Sequence, residues 1–206
     1  LLHAILSVLI IFLPLCYVAN DIYFYISEPI RQFLPEGATM IATDVASPFL
    51  TPFKLSLVLS IFIAMPYILH QIWSFIAPGL YSNEKKIAMP LLVSSILLFY
   101  AGIAFAFYVV FPLVFGFFTA AAPDGVTVMT DINRYLEFVL KLFFAFGLAF
   151  EIPIATVLLI WTGATSIASI ASKRAYVIVG CFVLGMMLTP PDIISQVLLA
   201  LPMWLL

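Results

Sequence analysis

From Leu55 to Asn83 the chain runs 29 residues without an Asp, Glu, Lys or Arg, and from Ile87 to Pro123 it runs another 37. In an ordinary domain about one residue in four is charged, so a solvated surface has no use for runs of this length. A membrane-spanning helix needs about 20 mostly apolar residues, and these runs supply them. The rest of the chain agrees. Charged residues are 9% of the 206 and AVILMFWYC residues 65%, with a mean hydropathy of +1.23. A soluble fold would lack polar surface to cover such a core, and a disordered chain has the opposite composition. Further charge-free runs cover 1–20, 142–150 with 152–172 beyond Glu151, 175–191 and 193–206.

These runs predict an all-α polytopic membrane protein, one transmembrane domain over 1–206 with six helices. Helix 1 covers about 1–19, and an outer loop with a short interfacial helix near Tyr23 to Phe33 covers 20–52. Helix 2 covers about 53–75, an inner loop 76–86, helix 3 about 87–119 and an outer loop 120–133. Helix 4 covers about 134–162, an inner loop 163–173, helix 5 about 174–189, and helix 6 about 193–206 and beyond. Helix 3 is too long for one straight span and too short for two, with Pro90 and Pro112 as its sites of distortion. Helix 5 offers about 22 Å of rise against roughly 30 Å of hydrocarbon, so it reads as short on its own evidence, and with helix 6 as a short hairpin unless helix 6 continues beyond Leu206 and spans normally. The chain opens without Met inside one apolar run and closes inside another, which reads as part of a longer protein.

Orientation follows from the loops. Those after helices 2 and 4 carry Lys85, Lys86, Lys173 and Arg174 against one acid, Glu84. The other loops hold Asp21, Glu28, Glu36, Asp44, Asp124, Asp131 and Asp192, with Arg31, Arg134 and Lys54 as their basic residues. Basic loops face the cytoplasm, which puts both termini inside. The net charge of −2 leaves no basic surplus for a nucleic-acid backbone.

Little catalytic chemistry is available. No GxSxG or HExxH occurs, and His3 and His70 stand apart from other metal-ligand types. Cys16 and Cys181 sit in apolar runs and read as packing residues. No metal and no cofactor is expected. Glu137 and Lys141 have the spacing and order of an intrahelical ion pair. Glu151 is the informative residue, because it lies between apolar neighbours at membrane depth. An ionised carboxylate in hydrocarbon is heavily penalised, so it faces the protein interior or a water-filled cavity, or is neutral. It serves either helix packing or a substrate or partner helix. A proton-coupled transporter or channel using Glu151 is the competing reading, although no internal repeat is visible. An intramembrane enzyme lacks a catalytic pair, and a structural scaffold would leave Glu84 without a role.

Several motifs resemble one family. They are Met40-Ile41-Ala42-Thr43-Asp44-Val45-Ala46-Ser47-Pro48-Phe49, then Trp73-Ser74-Phe75-Ile76-Ala77-Pro78-Gly79-Leu80-Tyr81 followed by Glu84-Lys85-Lys86. Phe111-Pro112-Leu113, Phe150-Glu151-Ile152-Pro153 and Leu188-Thr189-Pro190-Pro191-Asp192 complete the set. In this order along the whole chain they are similar to TatC, the multi-spanning signal-peptide receptor of the twin-arginine protein translocase. The resemblance implies a glove-like fold with a concave face in the bacterial cytoplasmic membrane. It implies a receptor, not an enzyme, that binds twin-arginine signal peptides of folded precursors. It also implies single-span partners TatA and TatB, several copies in one complex, and transport driven by the proton-motive force.

Residue by residue, the resemblance gives Glu84, Phe75 and Gln71 to the signal-peptide patch. It gives Glu151, Thr189, Gln196, Met186 and Met187 to intramembrane contact with partners. It gives Pro29, Pro48 and Asp192 to functional outer loops. The family has a second acid ahead of helix 1; this chain starts inside that helix, so Glu84 is the acid of the patch that can be named.

Overall fold

The computed structural model describes residues 2–31, 40–76, 85–120, 131–163, 165–188 and 193–205. Their regular structure is helical throughout: α1 Leu2–Tyr17, α2 Ala19–Arg31, α3 Ser47–Ile76, α4 Lys85–Phe105, α5 Phe111–Ala120 and α6 Ile132–Ala149. Then come α7 Ile152–Trp161, α8 Ile167–Ser172, α9 Arg174–Leu188 and α10 Ile193–Leu205. Three stretches are long and apolar enough to cross a membrane: Ser47–Ser74, Ala88–Phe117 and Ile132–Trp161. A fourth results if α1 and the start of α2 count together across their 83° bend. The helices fall into two compact units. One comprises Leu1–Ile72 and Phe111–Leu140, the other Trp73–Val110 and Lys141–Leu206.

In the first unit, α1 has no buried residue, and Leu9, Ile10 and Leu13 are among its exposed apolar side chains. The chain turns at Val18, ahead of Asn20 and Asp21, which would be costly to carry deeper into hydrocarbon. So the short helix starts at Ala19, earlier than the Tyr23 that spacing alone suggests. Asp21 in its first turn suits the positive end of the helix dipole. The buried Tyr135 hydroxyl of α6 donates to the Ile26 carbonyl near the end of α2, at 2.8 Å. Phe115 of α5 packs on Tyr135 and Phe138, with centroids 5.5 and 5.9 Å apart.

Asp131 organises the start of α6. Its Oδ1 accepts from the backbone N–H groups of Asn133 and Arg134 at 3.0 and 2.9 Å, the bonding of a helix N-cap. Its Oδ2 accepts from the Thr43 N–H and hydroxyl at 2.9 and 2.6 Å, while Ile132 N–H donates to the Ile41 carbonyl at 2.9 Å. One carboxylate thus caps a helix and ties the loop around Thr43 onto it. The Thr43 hydroxyl, then the Arg134 and Thr43 N–H groups, hold its pKa at about 2, below the ordinary 3.8. A depressed carboxylate pKa stabilises the fold above its unfolded value, and that stabilisation is lost as pH falls through the folded value. Asp131→Asn is therefore expected to lower thermal stability in detergent by the equivalent of about 1–2 kcal/mol near neutrality. The gap to wild type should stay constant above about pH 4 and close as pH falls towards about 2. A gap that does not change with pH would contradict the clasp.

Glu137 pairs with Lys54 of α3 at 2.6 Å, a partner from another helix that the i,i+4 spacing to Lys141 does not reveal. Lys54 opens α3 at the end where α6 begins, and both side chains keep partial access to solvent, 46% and 39% exposed. At such exposure the pair contributes about 0–1 kcal/mol.

In the α4–α5 span, the expected distortion takes the form of a π-helical turn over Ala106–Val110. Pro112 follows it directly. Its ring would clash with the Tyr108 carbonyl in a regular helix and it has no N–H to give, and a wider turn relieves both. Pro90 sits inside α4 without breaking it.

In the second unit α4 and α6 pack antiparallel. Leu92, Ser95, Phe99 and Gly102 share the buried face of α4 at helical spacing. Gly102 lies so close to the Phe146 carbonyl that a Cβ would stand 2.5 Å from its oxygen. A Cβ on Gly147 would stand 2.7 Å from the Phe99 ring. Small residues permit this approach of backbones, the usual basis of helix packing in lipid. Phe105 then covers Phe146 and Phe150, at 5.7 and 5.8 Å between centroids. α9 and α10 form the last hairpin of this unit. With 15 and 13 residues they reach about 22 and 20 Å. The Gln196 side-chain amide donates to the Phe182 carbonyl at 3.0 Å, and Gly185 packs on the Gln196 backbone.

Candidate functional site

The antiparallel register of α4 and α6 brings Ser95 to Glu151. Two turns beyond the close contact of Gly102 with Phe146, the Ser95 hydroxyl donates to Glu151 Oε2 at 2.5 Å. Glu151 stands in the break between α6 and α7. Pro153 two residues on has no N–H for the Ala149 carbonyl, and Glu151 N–H turns to Leu148 at 3.1 Å, one residue nearer than in an α-helix. The break does not consume the carboxylate, since Glu151 precedes α7 without a side-chain cap bond. Its other oxygen, Oε1, is buried and has no hydrogen-bond partner among the described residues. A buried acceptor left unmade costs about 1–3 kcal/mol, so this oxygen is poised to accept from an incoming donor.

Ser95 was not legible as a site residue. It is one of two serines inside an apolar run, Ser94-Ser95, and either could face lipid, protein or solvent. The usable signal is that an intramembrane acid needs a polar neighbour on another helix. Asp131 was missed similarly: it had been counted only among the loop acids, though an aspartate one residue ahead of an apolar-periodic run is a cap signal.

The other expected positions are distributed as follows. Met186 and Met187 near the end of α9 are 52% and 72% exposed, an apolar surface at the closed end of the hairpin. Gln196 is half-buried, its amide held by Phe182. Gln71 is half-buried on α3. Pro48 is exposed in the first turn of α3. Glu84, Thr189 and Asp192, with the side chains of Pro29 and Phe75, lie outside the described residues. Among the described residues no group of three His, Cys, Asp or Glu could hold a metal ion.

The helix order and the Glu151 break can be set beside known proteins. Residues 1–202 match the family model described as Sec-independent protein translocase protein (TatC). The chain belongs to the TatC family. A TatC of Azotobacter chroococcum mcd 1 is 66% identical over 206 residues, all of this chain and 81% of that protein. The Escherichia coli K12 TatC is 58% identical over the same 206 residues, 80% of its length. A crystal structure described as the twin arginine translocase receptor TatC superposes with a TM-score of 0.87 at 38% identity. It covers 99% of this chain and 90% of that one. The protein is thus a component of a Sec-independent protein translocase, a bacterial membrane protein that works with the other parts of that system.

Proposed function

We propose that this TatC protein is the receptor that binds twin-arginine signal peptides of folded precursors at its cytoplasmic face. It docks the single-span partners TatA and TatB within the membrane, in a complex of several copies. Transport is driven by the proton-motive force. The protein lies in the bacterial inner membrane with both termini in the cytoplasm, as the basic loops at Lys85–Lys86 and Lys173–Arg174 favour.

Glu84 accepts the guanidinium pair, with Phe75 and Gln71 beside it. A carboxylate can take a guanidinium through two parallel hydrogen bonds, which an ammonium cannot reproduce. Glu151 takes a polar group of a partner helix. Met186, Met187, Thr189 and Gln196 supply the neighbouring contact surface, and Pro29, Pro48 and Asp192 shape the outer loops. The observation that carries the docking part is the buried Glu151 Oε1, which has no hydrogen-bond partner among the described residues, on a carboxylate held by Ser95.

The test is complementation in cells that lack their own TatC. Full-length wild type should restore export of a folded reporter carrying an arginine pair. Glu151→Ala should lose crosslinking to the partner helix together with export. Ser95→Ala should weaken the crosslink about threefold to thirtyfold while the protein still accumulates, because each polar contact of this kind contributes about 0.6–2 kcal/mol in membranes. Unchanged crosslinks in both variants would sink the docking role. The transporter reading would be favoured if Glu151→Ala spared export but removed a proton-coupled solute uptake.

A further inference from the structure

The second unit contains a cavity of about 500 Å³ where α7 ends, α9 begins and α10 ends. Ile160, Ile170, Val177 and Trp204 are among the side chains that wall it, with Thr156 at its side. Among the described residues, Arg174, the first residue of α9, is the one charged side chain that lines it, and no acidic one does. Lys173 adjoins Arg174 in sequence and is exposed. Two further wall residues, Ile167 and Leu205, are 72% and 76% exposed, so the apolar lining reaches the surface.

We propose that this cavity is a binding site for an anionic phospholipid. The occupant has to be amphiphilic: an apolar slot open along its side suits an acyl chain, and a single guanidinium at its edge suits a phosphate. Arg is the residue for this, because its planar fork meets two phosphate oxygens. The start of α9 adds a positive dipole end beside the same residue. Trp204 has the amphipathic ring that settles at the level of lipid headgroups. A peptide segment fits less well, since it would bury backbone groups against walls that offer few hydrogen bonds. The shortness of α9 sets the depth. At about 22 Å it cannot carry Arg174 far beyond the hydrocarbon, so the guanidinium stays at phosphate level. The orientation proposed above assigns the site to the cytoplasmic leaflet, and lipid binding itself does not depend on that assignment.

The experiment is native mass spectrometry of the full-length protein, released from detergent with added dioleoylphosphatidylglycerol or dioleoylphosphatidylcholine. Wild type should retain one phosphatidylglycerol about fivefold more tightly than phosphatidylcholine, in line with one basic residue acting at an anionic lipid. Arg174→Gln should remove that preference, and Arg174→Lys should keep part of it. Val177→Trp, which fills the slot, should weaken both lipids. Soluble glycerol phosphate should fail to compete, since it has no acyl chain. Equal retention of the two lipids by wild type would overturn the proposal. So would an unchanged preference in Arg174→Gln, or full competition by glycerol phosphate. A copurifying peptide at this cavity in place of lipid would overturn it as well.

Discussion

Gly102→Leu should prevent the protein from accumulating in folded form. Even alanine there would set a Cβ 2.5 Å from the Phe146 carbonyl oxygen, 2.9 Å from its carbon and 3.1 Å from the Phe150 ring. The first two are backbone atoms, so α4 and α6 would have to move apart. Overpacking of this kind costs about 1–3 kcal/mol for a small addition and more for a branched one. The separation would also draw Ser95 from Glu151 and leave a membrane carboxylate without its hydroxyl partner. With about 5–15 kcal/mol of total stability typical of a domain, the sum is a large fraction of what is available. Gly102→Ala should therefore lower the thermal aggregation midpoint in mild detergent, and Gly102→Leu should leave little extractable monomer. Gly180 serves as the control. Nothing lies within 4 Å of a Cβ built there, and it is a glycine inside a helix, so Gly180→Ala should be neutral or slightly stabilising. Equal behaviour of the two alanine variants would refute the close-packed seam.

The three long apolar stretches, Ser47–Ser74, Ala88–Phe117 and Ile132–Trp161, were legible because hydrocarbon imposes a single demand, a long run without charge, and the sequence meets it plainly there. Glu151 was legible as an intramembrane acid for the same reason, whereas one unbroken helix over about 134–162 was expected and the interruption between α6 and α7, with Pro153 two residues on, was not. What could not be read was which helix meets which. Ser95 reaches Glu151 because Gly102 and Gly147 let α4 and α6 approach closely, and no local periodicity encodes that register. Lys54 illustrates the same limit. Its pairing with Glu137 joins residues 83 apart, whereas the i,i+4 rule sees only Lys141. The start of α2 at Ala19 followed from where polar residues first appear, a signal that apolar spacing after Tyr23 concealed. The π-turn before Pro112 was foreshadowed only as a distortion, because proline dictates that the helix must yield and not how.

The proposed receptor role rests on Glu84 meeting an arginine pair. Two guanidiniums near the membrane interface are attracted by a carboxylate more strongly than in bulk water, since the local dielectric is lower. Charge-assisted hydrogen bonds of this sort contribute about 1.5–3 kcal/mol each, or roughly tenfold and upward in occupancy. Glu84→Gln keeps the size of the side chain and removes its charge. The deciding measurement is site-specific photocrosslinking in membranes, with the probe on the signal peptide next to its arginine pair and the full-length receptor as target. Wild-type receptor with the arginine pair should give a strong adduct near residue 84. The adduct should fall about tenfold or more with Glu84→Gln, and likewise when the peptide carries two lysines. Adducts of equal yield in all three combinations would contradict the assignment of arginine recognition to this carboxylate.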